Sequence, residues 1–258
     1  MSTYVIGDIH GCLDGLNKLL ETICYDANDD TLFFLGDLIN KGPDSTGVLA
    51  WIMQQKNCHA VLGNHDLYIL HSIINNFNSL NTTARTFIKK PDAIDWLLQL
   101  PLLIEQDDYL FCHAGIHPKW SDSDIKNILK LQNDIISATN LKKFYSQPSW
   151  QRAPEYDNHF FIMAVLTEMR FLNRIDFSLE QGSADNMPND PNKVAWFDIT
   201  ETNYTQKHIF FGHWARLSTI ENNHATCLDG GYVYGRKLLC QRLDDGKLYS
   251  ITNQEQKT

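Results

Sequence analysis

The sequence has no apolar run long enough to cross a bilayer. Its apolar stretches, such as Leu32-Phe33-Phe34-Leu35, fall far below the roughly 20 residues that a spanning helix takes. No basic segment leads into an apolar one at its start, so no secretory leader is expected. It has no CxxC pair. Its six cysteines (Cys12, Cys24, Cys58, Cys112, Cys227 and Cys240) are scattered, which disfavours a thiolate metal site or a disulfide frame and fits reduced cytoplasmic thiols. It is also short of positive charge. Against 31 acidic residues stand 22 basic ones, a net charge of −9. A field of that sign repels polyanions, so no general nucleic-acid binding is expected. Any anionic substrate would need a strong local concentration of cations. No internal repeat or low-complexity tract breaks the chain, and no membrane association is expected.

What is present is an ordered alternation. The 258 residues are enough for one large domain with a sizeable core. Residues 3–6 read as a buried strand, and Leu13, Leu16, Leu19, Leu20 and Ile23 follow at helical spacing. Thr31 to Leu35 is a second strand, Val48, Leu49, Ile52 and Met53 give a second helical face, and Cys58 to Leu62 is a third strand. The first 66 residues therefore predict β-α-β-α-β, repeating at about 30 residues, the length of a βαβ crossover. Further strands are expected at Tyr109 to Cys112, His208 to Phe211, Ala225 to Leu228, Lys237 to Leu243 and Lys247 to Ile251, with a helix over Ala93 to Leu100. Residues 116–207 carry several helical faces (Ile125/Leu129, Phe161/Val165/Met169) and few strand signals. They are expected to form a mostly helical cap inserted in a single 1–258 domain.

The polar residues cluster where strands end. Five such ends carry Asp8-x-His10, Gly36-Asp37, Gly63-Asn64-His65-Asp66, His113 and Gly212-His213. In open α/β sheets, sites form beyond the carboxyl ends of the strands, so these clusters should converge. The donors are hard oxygens and imidazoles, which suit Mn²⁺, Fe, Co²⁺ or Zn²⁺. A pair of metals needs a shared carboxylate. Asp37, on the middle strand, is the natural bridge, with Asp8 and His10 on one metal and Asn64, His113 and His213 on the other. A single Gly-Asp at a strand end is usually a turn or a helix cap; five in order are a ligand set.

The motifs GDIHG, GDLINKGPDS, GNHD, CHAGI and GHW, in this order, resemble those of calcineurin-like metallophosphoesterases, and within them the phosphoprotein-phosphatase branch. A closer resemblance is to the bacterial symmetrical diadenosine tetraphosphate hydrolase family. It runs through YVIGDIHGCLDGL, LGNHDLYIL, QLPLLIE, HAGIHPKW, TEMRF, FGHWARL and CLDGGYVYGRKLLCQRLDD. It covers most of the chain; the region around 135–160 carries no motif. The resemblance implies an α/β fold with a two-sheet sandwich and two divalent metal ions, Mn²⁺ or Co²⁺ above others. It implies symmetrical hydrolysis of dinucleoside polyphosphates to two ADP by a metal-bridging hydroxide, with nucleotide-capped RNA 5′ ends as a further substrate class. A serine/threonine phosphatase or broad phosphomonoesterase is the alternative within the superfamily. A nucleotide-binding module that has lost its chemistry is the alternative outside it.

The resemblance also assigns roles. His65 is the general acid, and Lys41 and Arg170 neutralise phosphate oxygens. A surface arginine on a helix is the alternative reading of Arg170, and the resemblance favours the functional one. Tyr232 and Tyr234 suit the core or the substrate, and Tyr232 is the one assigned to substrate. Asp66 either orients His65 or caps the next helix. Three departures from the family pattern stand out. The chain has Gly212-His213-Trp214-Ala215 where many members have GHxH, Lys41 where the branch has arginine, and Asn40 where protein phosphatases have aspartate. Arginine grips phosphate with a planar fork and lysine as a point charge, so that exchange is not neutral.

Overall fold

A computed structural model describes residues 1–75, 82–146, 158–182, 190–204, 207–215 and 224–253. The elements run β1 (Thr3–Ile6), α1 (Leu13–Thr22), β2 (Thr31–Phe34), α2 (Ser45–Gln54), β3 (Cys58–Ala60), α3 (Asn64–Ile74), α4 (Thr82–Phe87) and α5 (Pro91–Gln99). Then come β4 (Leu103–Gln106), β5 (Tyr109–Cys112), α6 (Asp122–Ile135), α7 (Ala138–Tyr145) and α8 (His159–Glu168). The chain continues through β6 (Phe171–Asn173), β7 (Leu179–Glu180), β8 (Lys193–Ala195), β9 (His208–Phe211), β10 (Ala225–Cys227), β11 (Lys237–Arg242) and β12 (Leu248–Thr252).

Two main sheets carry the architecture, one ordered β12-β11-β1-β2-β3 and the other β10-β9-β5-β4. β1, β2 and β3 are mutually parallel, as the two crossover helices require. β5, β9 and β10 are parallel in the second sheet. The sheets face each other across Val5, Phe33 and Leu239 on one side and Phe111 and Phe210 on the other. Phe33 stacks on Phe111 with centroids 4.3 Å apart, and Phe111 on Phe210 at 5.8 Å. The alternate residues Tyr4, Ile6, Leu32 and Phe34 point into the helix-side core. Both faces of these strands are buried, which is why their sequences read as unbroken apolar runs rather than alternating ones.

The expected strands and the βαβαβ start are all present, with boundaries shifted by a few residues. The third strand ends at Ala60, short of Leu62, because Val61 N–H still donates to Phe34 O (3.1 Å) while Leu62 N–H turns to Pro101 O (2.9 Å). Between 116 and 207 lie α6, α7 and α8, together with a small antiparallel sheet ordered β7-β6-β8. Residues 147–157, 183–189 and 205–206 of this region lie outside the described residues. No helix among the described residues is long and apolar enough to cross a membrane.

Candidate active site

The carboxyl ends of β1, β2, β3, β5 and β9 converge, and they bring Asp8, His10, Asp37, Asn64, His113 and His213 together. The sandwich brings its second sheet beside the first, so ligands arrive from both. The local backbone is tight. His10 N–H donates to Asp37 O at 2.7 Å, tying the ends of β1 and β2. Gly63 and Gly212 are needed for close approach: a Cβ would meet Asp37 Oδ1 at 2.1 Å and Asp8 Oδ1 at 2.0 Å, respectively. Among the described residues, eight non-glycine residues adopt positive φ, and His10, Asp37, Asn40, Lys41 and His213 are among them. Such conformations are held only where the surroundings over-determine them, and they gather at functional sites.

Asp37 occupies the centre. Its Oδ1 accepts the His65 backbone N–H at 2.8 Å, at the start of α3. Its Oδ2 lies 3.4 Å from His10 Nε2 and 3.5 Å from His113 Nε2. The carboxylate thus faces both halves of the site, as the bridge assignment needs. Asp8 is fixed by the His213 backbone N–H, 3.2 Å from Oδ2. Asp8, His10 and Asp37 together form a buried group whose ligand atoms all lie within 4.8 Å of one another.

The other half of the site identifies its own proton positions. His113 Nδ1 donates to Leu35 O at 2.8 Å, and His213 Nε2 donates to Glu168 O at 3.2 Å. A carbonyl can only accept, so each ring carries its proton there. Burial lowers both pKa values, His113 to about 4 and His213 well below the ordinary value, with Arg170 and His113 adding to the latter. Both rings are therefore neutral near pH 7, and His113 Nε2 and His213 Nδ1 present lone pairs. They sit 3.0 and 3.1 Å from Asn64 Oδ1, itself an acceptor. Lone pairs facing lone pairs, with Asp37 alongside, fit a cation between them. Burial, Asp229 and Asp37 together hold the Asp8 carboxyl well above its usual range, and burial raises Asp37 as well. This crowding of acid groups is what a divalent cation relieves. The donor set fits two divalent metal ions of the family's type.

The groups around the ligands fall on two sides. His65 lies edge-on to His10, with centroids 4.9 Å apart. Its Nδ1 pairs with Asn40 Nδ2 at 2.8 Å, so Asn40 does stand beside it. Asp66 does not reach His65. It is fully buried and accepts backbone N–H groups from Gly63 (3.0 Å), Ile39 (3.1 Å) and Leu38 (3.3 Å), so it caps α3 and ties in the loop after β2. Lys41 and Arg170 both line a cavity of about 230 Å³ over the ligands. One Arg170 nitrogen donates to His213 O at 2.8 Å, while its buried Nε has no partner among the described residues. Arg170 follows α8 directly, and α8 ends at Glu168 rather than running through Met169.

One assigned residue is elsewhere. Tyr232 is buried, its ring packed over Gly15 of α1, where a Cβ would lie 2.5 Å from it. It does not line the cavity; Tyr234 does. The two belong to one 3₁₀ turn flanked by Gly231 and Gly235, both at positive φ. Tyr232 anchors that turn and Tyr234 reaches over the site, a distinction that two tyrosines in one motif do not reveal. A second residue escaped sequence reasoning. Asp229, just past β10, is buried, lines the cavity and contacts the Asp8 carboxyl. The site therefore holds three buried carboxyls where two were expected. The signal was available, since the apolar run Ala225 to Leu228 runs straight into Asp229, a carboxylate at a strand end as after β1 and β2.

Comparison with known proteins agrees with this geometry. The family model for calcineurin-like phosphoesterases matches residues 1–248. The symmetrical bis(5′-nucleosyl)-tetraphosphatase of Chromobacterium violaceum is 32% identical, over 97% of this chain and 95% of that protein. Its counterpart from Vibrio cholerae is 31% identical, over 97% and 98%. Among solved structures, a candidate diadenosine tetraphosphatase superposes with a TM-score of 0.68 at 24% identity, covering 98% of this chain and 94% of that one.

Proposed function

We propose that this chain, which belongs to the calcineurin-like phosphoesterase family, hydrolyses dinucleoside tetraphosphates at the central anhydride, giving two nucleoside diphosphates. The observation that carries this reading is the placement of two cations on either side of a buried ligand cluster, each beside a further cavity. Arg170, with Asn64 and His213, also lines a cavity of about 270 Å³ that reaches Phe171 and Glu180. Lys41 also lines one of about 430 Å³ that reaches Thr83 and Phe87. A substrate with a nucleoside at each end and its middle phosphates at the ligand cluster extends both ways. A phosphomonoester extends one way.

Two divalent cations, Mn²⁺ or Co²⁺ in this reading, would be held by Asp8, His10, Asp37, Asn64, His113 and His213. When bound, they supply Lewis acidity and water of lowered pKa. The chain's own residues do the rest. Lys41 and Arg170 neutralise charge on the equatorial phosphoryl oxygens. They bring positive charge that a protein of net −9 otherwise lacks. His65 presents an N–H toward the leaving oxygen. Asn40 orients that ring without carrying a charge, which suits a leaving diphosphate, since a terminal phosphate has a second pKa of about 6. Residues 116–207 act as a cap on a single phosphoesterase domain, contributing Arg170. Nucleotide-capped RNA 5′ ends, which carry the same anhydride, are a second substrate class. The six cysteines are all free thiols, in keeping with a reducing cytoplasm.

The test compares kcat/KM for diadenosine tetraphosphate, a phosphoserine peptide and p-nitrophenyl phosphate in Mn²⁺. The dinucleotide should be preferred over both monoesters by orders of magnitude. Preference for the peptide would make the chain a protein phosphatase. Binding of the dinucleotide without turnover would make it a nucleotide-binding module.

A further inference from the structure

The exchange of arginine for lysine at position 41 leaves a physical problem. A guanidinium carries its own rigid fork of donors. An ammonium on a four-carbon stem has no preferred direction and must be held if it is to meet a phosphate oxygen in a fixed place. Lys41 is partly tethered by its backbone, which is left-handed at φ 66°, following Asn40 at φ 78°. That fixes where the side chain starts, not where it ends.

The end is met from the opposite side of the cavity. Lys41 Nζ donates to the hydroxyl of Tyr234, and it lies 4.6 Å from the centroid of that ring. Tyr234 is 193 residues away in the chain. It is brought there by a turn with little freedom. Gly231 and Gly235 bound the turn at φ 71° and 80°. Tyr234 N–H donates to Gly231 O at 3.0 Å. Asn253 Nδ2 donates to Tyr232 O at 3.0 Å, and the Tyr232 ring lies over Gly15. The Tyr234 ring is 41% exposed, too open to be held by core packing. Its centroid lies 6.5 Å from that of His10, so the pair stands at the mouth of the ligand cluster.

We propose that Tyr234 is a positioning residue for Lys41: its hydroxyl takes one of the three ammonium donors, so that the remaining N–H groups are directed at the substrate's phosphoryl oxygens. Tyrosine and lysine together thus do what one arginine fork does alone. This rests on the reading of the cavity as a phosphate site, and it assigns a role that Tyr232 cannot fill.

A double-mutant cycle tests it. Wild type, Tyr234→Phe, Lys41→Arg and the double variant are loaded with Mn²⁺. Two quantities are measured for each: kcat/KM on diadenosine tetraphosphate, and the Kd for inorganic phosphate by calorimetry. With Lys41 present, Tyr234→Phe should weaken phosphate binding and lower kcat/KM about tenfold, the scale of one hydrogen bond to a charged group. In the Lys41→Arg background the same change should cost less than about twofold, because the guanidinium orients itself. Equal costs in the two backgrounds would overturn the pairing, as would no cost in either. If wild type leaves the dinucleotide intact while phosphate affinity still shows the coupling, the functional reading fails and the pairing stands.

Discussion

Asn40 shows how one side chain sets the chemistry of another. Its Oδ1 accepts the Lys41 backbone N–H at 3.0 Å. That fixes the amide orientation and leaves Nδ2 to donate to His65 Nδ1 at 2.8 Å. His65 must therefore hold its proton on Nε2 and stay neutral, since an imidazolium would set N–H against N–H. Burial pushes its pKa in the same direction, as do the charges of Lys41 and Arg170, against the pull of Asp37. An aspartate at 40 would accept from a protonated Nδ1 and raise that pKa. Asn40→Asp should therefore raise kcat/KM on aryl phosphates relative to diadenosine tetraphosphate by about tenfold, because a poor leaving group gains most from an acid. It should also move the alkaline limb of the pH–rate profile upward. A ratio that does not change, in a folded and metal-loaded variant, contradicts the assignment of His65. The adjacency of 40 and 65 was implied by the resemblance to the phosphoprotein-phosphatase branch. The amide orientation was not, because it depends on which backbone N–H the loop presents.

Elements are joined here by buried polar groups as much as by apolar packing. Asp66 collects three N–H groups, from α3's own first turn and from the loop after β2. Asp66→Ala would leave those donors buried and unpaired, so it should destabilise the fold by about 3 kcal/mol. Urea denaturation of the metal-loaded protein measures this, and a loss below about 1 kcal/mol would mean that water replaces the carboxylate. The capping role was one of two readings of the GNHD motif, and burial decides it. Strands β1, β2, β5, β9 and β10 were legible because each is a short apolar run buried along nearly all of its length. β4 was missed, since only its first residue, Leu103, is buried. β6, β7 and β8 were missed because strands of two or three residues owe their existence to partners distant in sequence, Phe171 pairing with Glu180 and Ala195. α4 is six residues with three threonines, too short and too β-branched for a helical pattern to show.

Across the molecule, charge is distributed by burial. Acidic groups outnumber basic ones, yet the site gathers two cations over three buried carboxyls. Away from the ligand cluster, His117 reports the same economy of protons. It is fully buried, with Nε2 donating to Phe177 O at 2.9 Å and Nδ1 accepting from Lys119 N–H at 3.3 Å. Burial lowers its pKa to about 4. Below about 6.5 the unfolded chain takes up a proton that the folded one refuses, so its stabilisation is whole above that pH and lost as pH falls toward 4. The stability difference between wild type and His117→Gln should therefore shrink by about 3 kcal/mol between pH 7.5 and 4. A pH-independent difference would show that the ring is accessible to protons. Convergence of the five strand ends was legible from order alone, because parallel strands joined by crossovers put their carboxyl ends on one edge. Asp229 was not singled out and Tyr232 was chosen over Tyr234, as the roles of Asp229 and Tyr234 arise from how the last strands fold back over the first. All of this serves one claim, that an inner phosphorus of a two-ended substrate sits over the ligand cluster. Hydrolysis of diadenosine tetraphosphate in ¹⁸O-water with Mn²⁺, read by mass spectrometry of the nucleotides, tests it directly. The account predicts ADP as the only nucleotide product, half of it carrying one ¹⁸O on its terminal phosphate. ATP and AMP, or a substrate left intact, would contradict it.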